Sequence, residues 1–476
     1  MLERFLPKST FARGLSVLVG GTATAQLITI LSSPLLTRLY KPDDFGLLAV
    51  YASVLSLFTV VASLRYQLTI PLPESDEEAI HLVVLCIFIT LLTTTLSGAL
   101  VIFWGPEFVQ LLNSAQLLPY LWLIPVGVLF AGLYQAFNYW SIRTKEFKIL
   151  AKTKIWQKIA NALIQIVGFK FGIVALISGQ AVGQGAGVTS LAKSALKHES
   201  FWRWHWKDLW KQAVRFKHFP MFSTWSGFAN TAGVQLPPIL FASIFGPSIA
   251  GFYMLAHRIL SMPMSFIGKA IGDVFLAHAA EAHHNNKLKP LFEMVAGRLI
   301  MIAMPIVVVI MIDAPTLFSV VFGKEWEEAG MYARWLALWL GMVLICSPLS
   351  TIFTVLEKQV QGMVFQMSMT IARIGVIFVG ITTGDVITTI ILFSLVGTIF
   401  WFGFLCWAAI QSQSSMYFVV KQMLINTILA LLLSFPFFLG SYYFKNSYIW
   451  WASGAVSAVM IIFYYFYKLK NINNES

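Results

Sequence analysis

Charge is scarce in this chain. Of 476 residues only 11% are Asp, Glu, Lys or Arg, while 58% are hydrophobic and the mean hydropathy is +0.75. Soluble domains carry roughly 25% charged residues, so the composition excludes a soluble protein and points to a polytopic membrane protein. Cysteine is almost absent: Cys86, Cys346 and Cys406 all fall in apolar runs with no paired spacing. That excludes a disulfide framework and a zinc site, and leaves them as small buried hydrophobes. Walker A, HExxH, nucleophile-elbow and paired-carboxylate patterns are missing, so neither catalytic residues, a resident metal nor a cofactor is expected. His283-His284 reads as a solvated loop, not a metal site. Acidic residues are nearly missing from the apolar runs of the two bundles, with Asp273 the one exception in this reading.

What is present is length and grease. Fourteen runs can cross a hydrocarbon core of about 30 Å at 1.5 Å per residue; among them are 172–193, separated from its predecessor only by Lys170 and Gly172, and 248–278. The N-terminal run follows basic residues without a small-residue cleavage site and reads as a retained first span. The net charge of +12 is a topology signal, not a nucleic-acid footprint. With the N-terminus in the cytoplasm, the opposite face holds only Arg38, Lys41, Lys170, Lys324, Arg334 and Lys445, so both termini are expected inside. The stretch 193–217 interleaves Trp202, Trp204, Trp206 and Trp210 with Arg203, Lys207 and Lys211, as expected of an interfacial amphipathic linker. Gly179, Gly183 and Gly187 are spaced GxxxGxxxG, which predicts one close-packing helix face.

That linker organises the chain. Pro42 to Gly46 and Pro247 to Gly251 are both P-x-x-x-G turns at equivalent hairpin positions, each following a helix glutamine, Gln26 and Gln235. Six runs precede the linker and six follow. The expected fold is therefore all-α, with two six-helix lobes in pseudo-two-fold repeat plus a C-terminal hairpin: 1–195, a linker at 196–219, 220–411, and 412–476 with the tail. Internal repeats of this kind are a transporter signature.

The hairpin at 219–281 carries ionisable groups where lipid would forbid them unless they face a cavity or a partner. Arg258 sits roughly 16 Å from Pro247 and Lys269 roughly 33 Å. Spacings of 11 and 15 residues put Arg258, Lys269 and Asp273 on one side of this span. Arg258 is deep and cavity-facing in this reading. Lys269 and Asp273 are either a coupling or gating pair or an interfacial pair of neighbours. Arg65, Arg298 and Arg373 lie in or at the ends of spans, where ligand binding and ion pairing or snorkelling both fit. Tyr134, Gln135, Asn138 and Tyr139 make a polar stripe, and Gln26, Asn161, Gln165, Asn230 and Gln235 add polar groups on other spans. Amides, tyrosines and cations without carboxylates suit an anionic, sugar-bearing solute.

Four blocks carry a resemblance: TRLYKPDDFG, LRYQLTIPLPESDEEA, LLPYLWLIPVGVLFAGLYQAFNYWSIRTKEFK, and the hairpin from FPMFSTWSGFAN to FLAHAAE. Together they resemble the polysaccharide-biosynthesis (oligosaccharide flippase) family of the multidrug/oligosaccharidyl-lipid/polysaccharide exporter superfamily, over residues from about 10 to 410. The resemblance implies two lobes forming a V around a cationic cavity in a bacterial inner membrane. It implies alternating access that carries undecaprenyl-pyrophosphate-linked oligosaccharide outward for O-antigen or another surface polysaccharide. Membrane lipids, a polysaccharide polymerase and other assembly proteins would be its partners, and nucleic acid would not. Pyrophosphate would meet arginines at Arg38, Arg65 and Arg258, with Arg298 and Arg373 as further candidates, and the polar stripe would face the glycan. Two alternatives stand beside it. A cation-coupled multidrug exporter of the same superfamily usually has an acidic residue in its first span, and 14–39 contains none. A lipid II flippase shares the fourteen-span architecture. Either membrane potential or ion coupling could drive turnover.

Overall fold

A computed structural model describes residues 10–263, 268–444 and 448–475, and no strand occurs among them. Helices satisfy their own backbone groups, which is what hydrocarbon demands of a spanning segment. Ten helical segments among the described residues are long and apolar enough to cross a membrane. In their described residues the remaining apolar runs are helical too, but shorter, more polar or, as at 172–193, interrupted. By compactness the chain divides into two units, Met1–Met254 and Leu255–Ser476. The repeat boundaries expected from the sequence remain a proposal.

The first unit opens with α1 (Thr10–Leu39) and α2 (Pro42–Val61). Pro42 stands in the first turn of α2, where its missing N–H costs nothing, and Asp43 and Asp44 complement the helix dipole. Leu64 and Arg65 turn the chain with positive φ (49° and 64°) into α3 (Asp76–Leu111), which Ser75 caps by accepting from Glu78 N at 3.2 Å. Next come α4 (Leu123–Arg143) and α5 (Phe147–Val167). The run at 172–193 is not one helix: α6 (Ile173–Gly183) ends and α7 (Val188–Leu196) begins anew. Gly187 takes φ +89° between them, so the expected GxxxGxxxG face is broken. Gly179 and Gly183 do pack closely, against Gln165 and Asn161 of α5.

The amphipathic stretch forms α8 (Trp206–Arg215). Leu209 and Gln212 are buried, and Arg215 pairs with Glu78 at the start of α3 at 2.7 Å, while Trp202, Trp206 and Trp210 are exposed. A core of Ile80, Val83, Phe137, Trp140, Leu191 and Leu209, among others, joins α3, α4, α7 and α8. The unit closes with α9 (Thr224–Phe245), packed on α2, and the start of α10 (Pro247–Pro263).

The division between units falls inside α10, and the described helix resumes as α11 (Lys269–His284). The shared side expected of Arg258, Lys269 and Asp273 runs across 264–267, which lie outside the described residues. In the second unit α12 (Leu288–Phe322) packs along α13 (Glu327–Leu349), its most buried span. After the single turn α14 (Ile352–Val355) come α15 (Gln359–Thr383) and α16 (Val386–Gln411). The appended segment comprises α17 (Met416–Leu433), α18 (Phe435–Tyr443) and α19 (Tyr448–Glu475).

Candidate functional site

Four helices of the first unit converge on a polar pocket of ≈ 310 Å³. Its walls are Thr59 of α2, Ala131, Tyr134 and Gln135 of α4, Gln157, Lys158 and Asn161 of α5, and Gln180, Gly183 and Gln184 at the end of α6. The close approach of α6 to α5 follows from Gly183, where a β-carbon would lie 3.0 Å from Asn161 Cβ. Such an approach brings amides from both helices to one surface.

The amides are fixed by one another. Gln67 Nε2 donates to Gln135 Oε1 at 2.9 Å, and Ser63 donates to Gln67 from behind. Asn161 Nδ2 donates to Gln180 Oε1 at 3.0 Å, and Gln157 Nε2 donates to the Gln184 carbonyl at 2.7 Å. Deeper in the unit, Gln165 Nε2 bridges to the Leu176 carbonyl at 3.0 Å, and Tyr40 donates to the Gln165 carbonyl at 2.6 Å. As oriented, the pocket keeps the amide nitrogens of Gln135 and Gln180 as donors and Asn161 Oδ1 as an acceptor. Lys158 supplies the charge, and no lining residue is acidic. A wall of rigidly held amides with one cation can bind a hydroxyl-rich, neutral or anionic group.

Of the polar stripe expected on α4, Tyr134 and Gln135 line this pocket. Asn138 and Tyr139 lie further along, half-buried, with Tyr139 against the apolar core. Gln26 is half-buried on α1, Gln235 accepts from Ser53 at 3.0 Å, and Asn230 is exposed on α9. Gln157, Gln180 and Gln184 were not singled out in the sequence. Their signal was there as polar residues one turn apart in apolar surroundings.

The five arginines are placed differently. Arg38 is exposed at the end of α1. Arg65 is half-buried in a left-handed turn, and its Nε is buried without a hydrogen-bond partner. Its guanidinium lies over Gly227, where a β-carbon would stand 2.6 Å from Cζ; the glycine makes room for it. Arg258 is half-buried on α10, beside His257, whose ring meets Trp339 at 5.7 Å. Arg373 is buried against two rings, 3.7 Å from the centroid of Trp339 and 4.0 Å from that of Phe393. The two ring centroids are 5.6 Å apart and their planes 82° apart, so the rings form a corner that holds the guanidinium in a cation–π arrangement. Arg298 lines a separate pocket with Glu293, Gln422 and Asn426. Lys269 and Asp273 stand on α11, but their side chains lie outside the described residues.

One acidic residue overturns the expectation that Asp273 alone lies among the spans. Asp313 is buried inside α12 at φ −151°, ψ 49°, a break in the helix. In sequence it stands at the end of an apolar run, where it reads as a boundary. Its Oδ1 accepts from Thr316 Oγ1 at 2.7 Å, and its Oδ2 accepts from Ser441 Oγ at 2.6 Å and Trp450 Nε1 at 3.0 Å. Arg334 Nη2 donates to the neighbouring Ile312 carbonyl at 3.0 Å.

The fold is that of the multidrug and lipid-flippase exporters. A solved structure of the lipid II flippase MurJ in an inward closed conformation aligns with TM-score 0.73 over 94% of this chain and 99% of that one, at 14% identity. An inward-facing multidrug resistance MATE family transporter of the MOP superfamily aligns with TM-score 0.59 over 83% and 94%, at 12% identity. Residues 35–330 match the polysaccharide biosynthesis protein family, and the chain belongs to that family. A relative, the succinoglycan biosynthesis transport protein ExoT of Rhizobium meliloti (strain 1021), is 22% identical over 83% of this chain and 78% of its own length. Family and fold together support a membrane transporter of flippase or exporter type.

Proposed function

We propose that the protein carries undecaprenyl-pyrophosphate-linked oligosaccharide from the cytoplasmic to the outer leaflet of a bacterial inner membrane by alternating access, for O-antigen or another surface polysaccharide. The observation that carries this reading is the amide-lined pocket of the first unit, which holds a lysine and no carboxylate. A drug cation would leave that lysine opposed and those amide donors unused, whereas sugar hydroxyls satisfy both donors and acceptors. The relative ExoT, a succinoglycan biosynthesis transport protein, supports the same substrate class. In this reading Tyr134, Gln135 and Asn161 face glycan, and Arg65 and Arg258 bind pyrophosphate, each within its own unit.

In this reading both termini lie in the cytoplasm. A polymerase of the same pathway would receive the translocated glycan. The test is complementation of depleted cells. Gln135→Leu and Lys158→Leu at normal protein level should leave lipid-linked glycan accumulated on the inner leaflet and reduce the surface polymer. Full export by both variants would remove the pocket from the mechanism. Full export by Arg258→Ala would remove that arginine.

A further inference from the structure

A second pocket, of ≈ 260 Å³, lies between α12 and α17 and shares no residue with the glycan site. We propose that it binds the headgroup of a zwitterionic phospholipid bearing a primary amine.

The position argues for a lipid. Helix α12 begins after the polar turn at 285–287, and α17 after the polar segment 412–415. Ser414 Oγ donates to Glu293 Oε1 at 2.6 Å, which sets the two helix starts at one level. The pocket therefore opens where the chain leaves water for hydrocarbon. Met294 on its rim is exposed, and Leu424 and Ile425 on the outer side of α17 are exposed as well. Phe418 lies on the wall below.

The charges argue for a zwitterion. Glu293 stands at the outer level, and Arg298 is five residues further along α12, roughly 7.5 Å deeper at 1.5 Å per residue. A purely anionic headgroup would meet Glu293, and a purely cationic one would meet Arg298. A phosphate ester with a pendant ammonium matches both, in the right order. Its phosphate is tied to the glycerol near hydrocarbon, at the depth of Arg298, and its amine reaches back toward water, at the level of Glu293. Arginine pairs with phosphate through a planar fork, and an ammonium N–H donates to a carboxylate. Gln422 and Asn426 lie one turn apart on α17 and bond to each other through Asn426 Nδ2 and the Gln422 carbonyl at 2.8 Å. Asn426 Oδ1 is buried and takes no bond from the protein, an acceptor that a water entering with the headgroup would fill.

The experiment is native mass spectrometry of the full-length protein extracted from vesicles of equal parts phosphatidylethanolamine, phosphatidylcholine and phosphatidylglycerol. Phosphatidylethanolamine should be retained about tenfold over the other two, the scale of one charge-assisted hydrogen bond. Phosphatidylcholine lacks the N–H donors, and phosphatidylglycerol lacks the cation. Glu293→Gln should erase the preference over phosphatidylglycerol, and Arg298→Gln should lower retention of all three. Equal retention of the three lipids by the wild-type protein overturns the proposal, as does a preference that both substitutions leave untouched. Competition by free phosphoethanolamine at equal concentration overturns the assignment to a lipid. The wild-type selectivity decides the matter even if a variant fails to fold.

Discussion

Gly46 and Gly251 occupy the same place in two helical hairpins, and each is pressed against the proline that starts the other's helix. A β-carbon at Gly46 would lie 2.9 Å from Pro247 Cα, and one at Gly251 would lie 3.2 Å from the Pro42 carbonyl carbon. Asp43 accepts from Ser248, its own equivalent 205 residues on. The two P-x-x-x-G turns thus meet as a self-complementary pair within the first unit, the reciprocity expected of a two-fold contact.

Gly46→Ala and Gly251→Ala should each destabilise the protein by about 1–3 kcal/mol, the usual cost of forcing atoms into a filled space. Gly403→Ala on α16, where nothing stands within 4 Å, should instead stabilise by about 0.5–1 kcal/mol through lower unfolded-state entropy. Thermal unfolding in detergent separates the two outcomes.

Arg373 makes a different kind of prediction. Arg373→Lys keeps the charge but loses the planar guanidinium that packs on Trp339 and Phe393. It should cost about 1–2 kcal/mol, the range for a desolvated cation–π contact. Trp339→Leu should fall in the same direction, and the double variant should lose less than the sum because the two share one contact. Additive losses in the melting curves would show that the stack contributes nothing of its own.

Asp385 caps α16 at its exposed start. Hydrogen bonding from the Thr388 side chain first, then from the Thr388 and Ile387 backbone N–H groups, holds its carboxyl below the ordinary carboxylate range. A group depressed in the folded state adds stability above its unfolded pKa, and that stability is lost as pH falls through the folded value. Asp385→Ala should therefore be less stable than wild type at neutral pH, with the gap closing in acid. A gap that stays constant from neutral to strongly acidic pH would contradict it.

Much of this was legible beforehand, for physical reasons. Apolar runs became helices because lipid allows little else, and the Pro-Gly spacing marked two turns that do meet. Tyr134 and Gln135 were legible as a face because helical phase within one element is set by sequence. Phase between elements is not. Gln157, Gln180 and Gln184 join Gln135 only because α5 and α6 pack closely through glycine. The fate of Arg373 depends on rings from α13 and α16. Gly187 fits a helix pattern and yet breaks the helix, since spacing alone carries no dihedral angle. Asp313 stood just past the end of an apolar run and so looked like its boundary.

Asp313 also dictates an order of events. Its Oδ2 partners, Ser441 and Trp450, are made 128 and 137 residues after it. As the chain is synthesised, α12 is in place while that carboxylate lacks two of its donors, a costly state inside a membrane. The last hairpin is thus a late-arriving closure for a segment already inserted. A chain ending at Leu433 should accumulate to a lower level than the full-length protein. Asp313→Leu should restore much of that level in the shortened chain, because a buried charge without partners costs more than an apolar replacement.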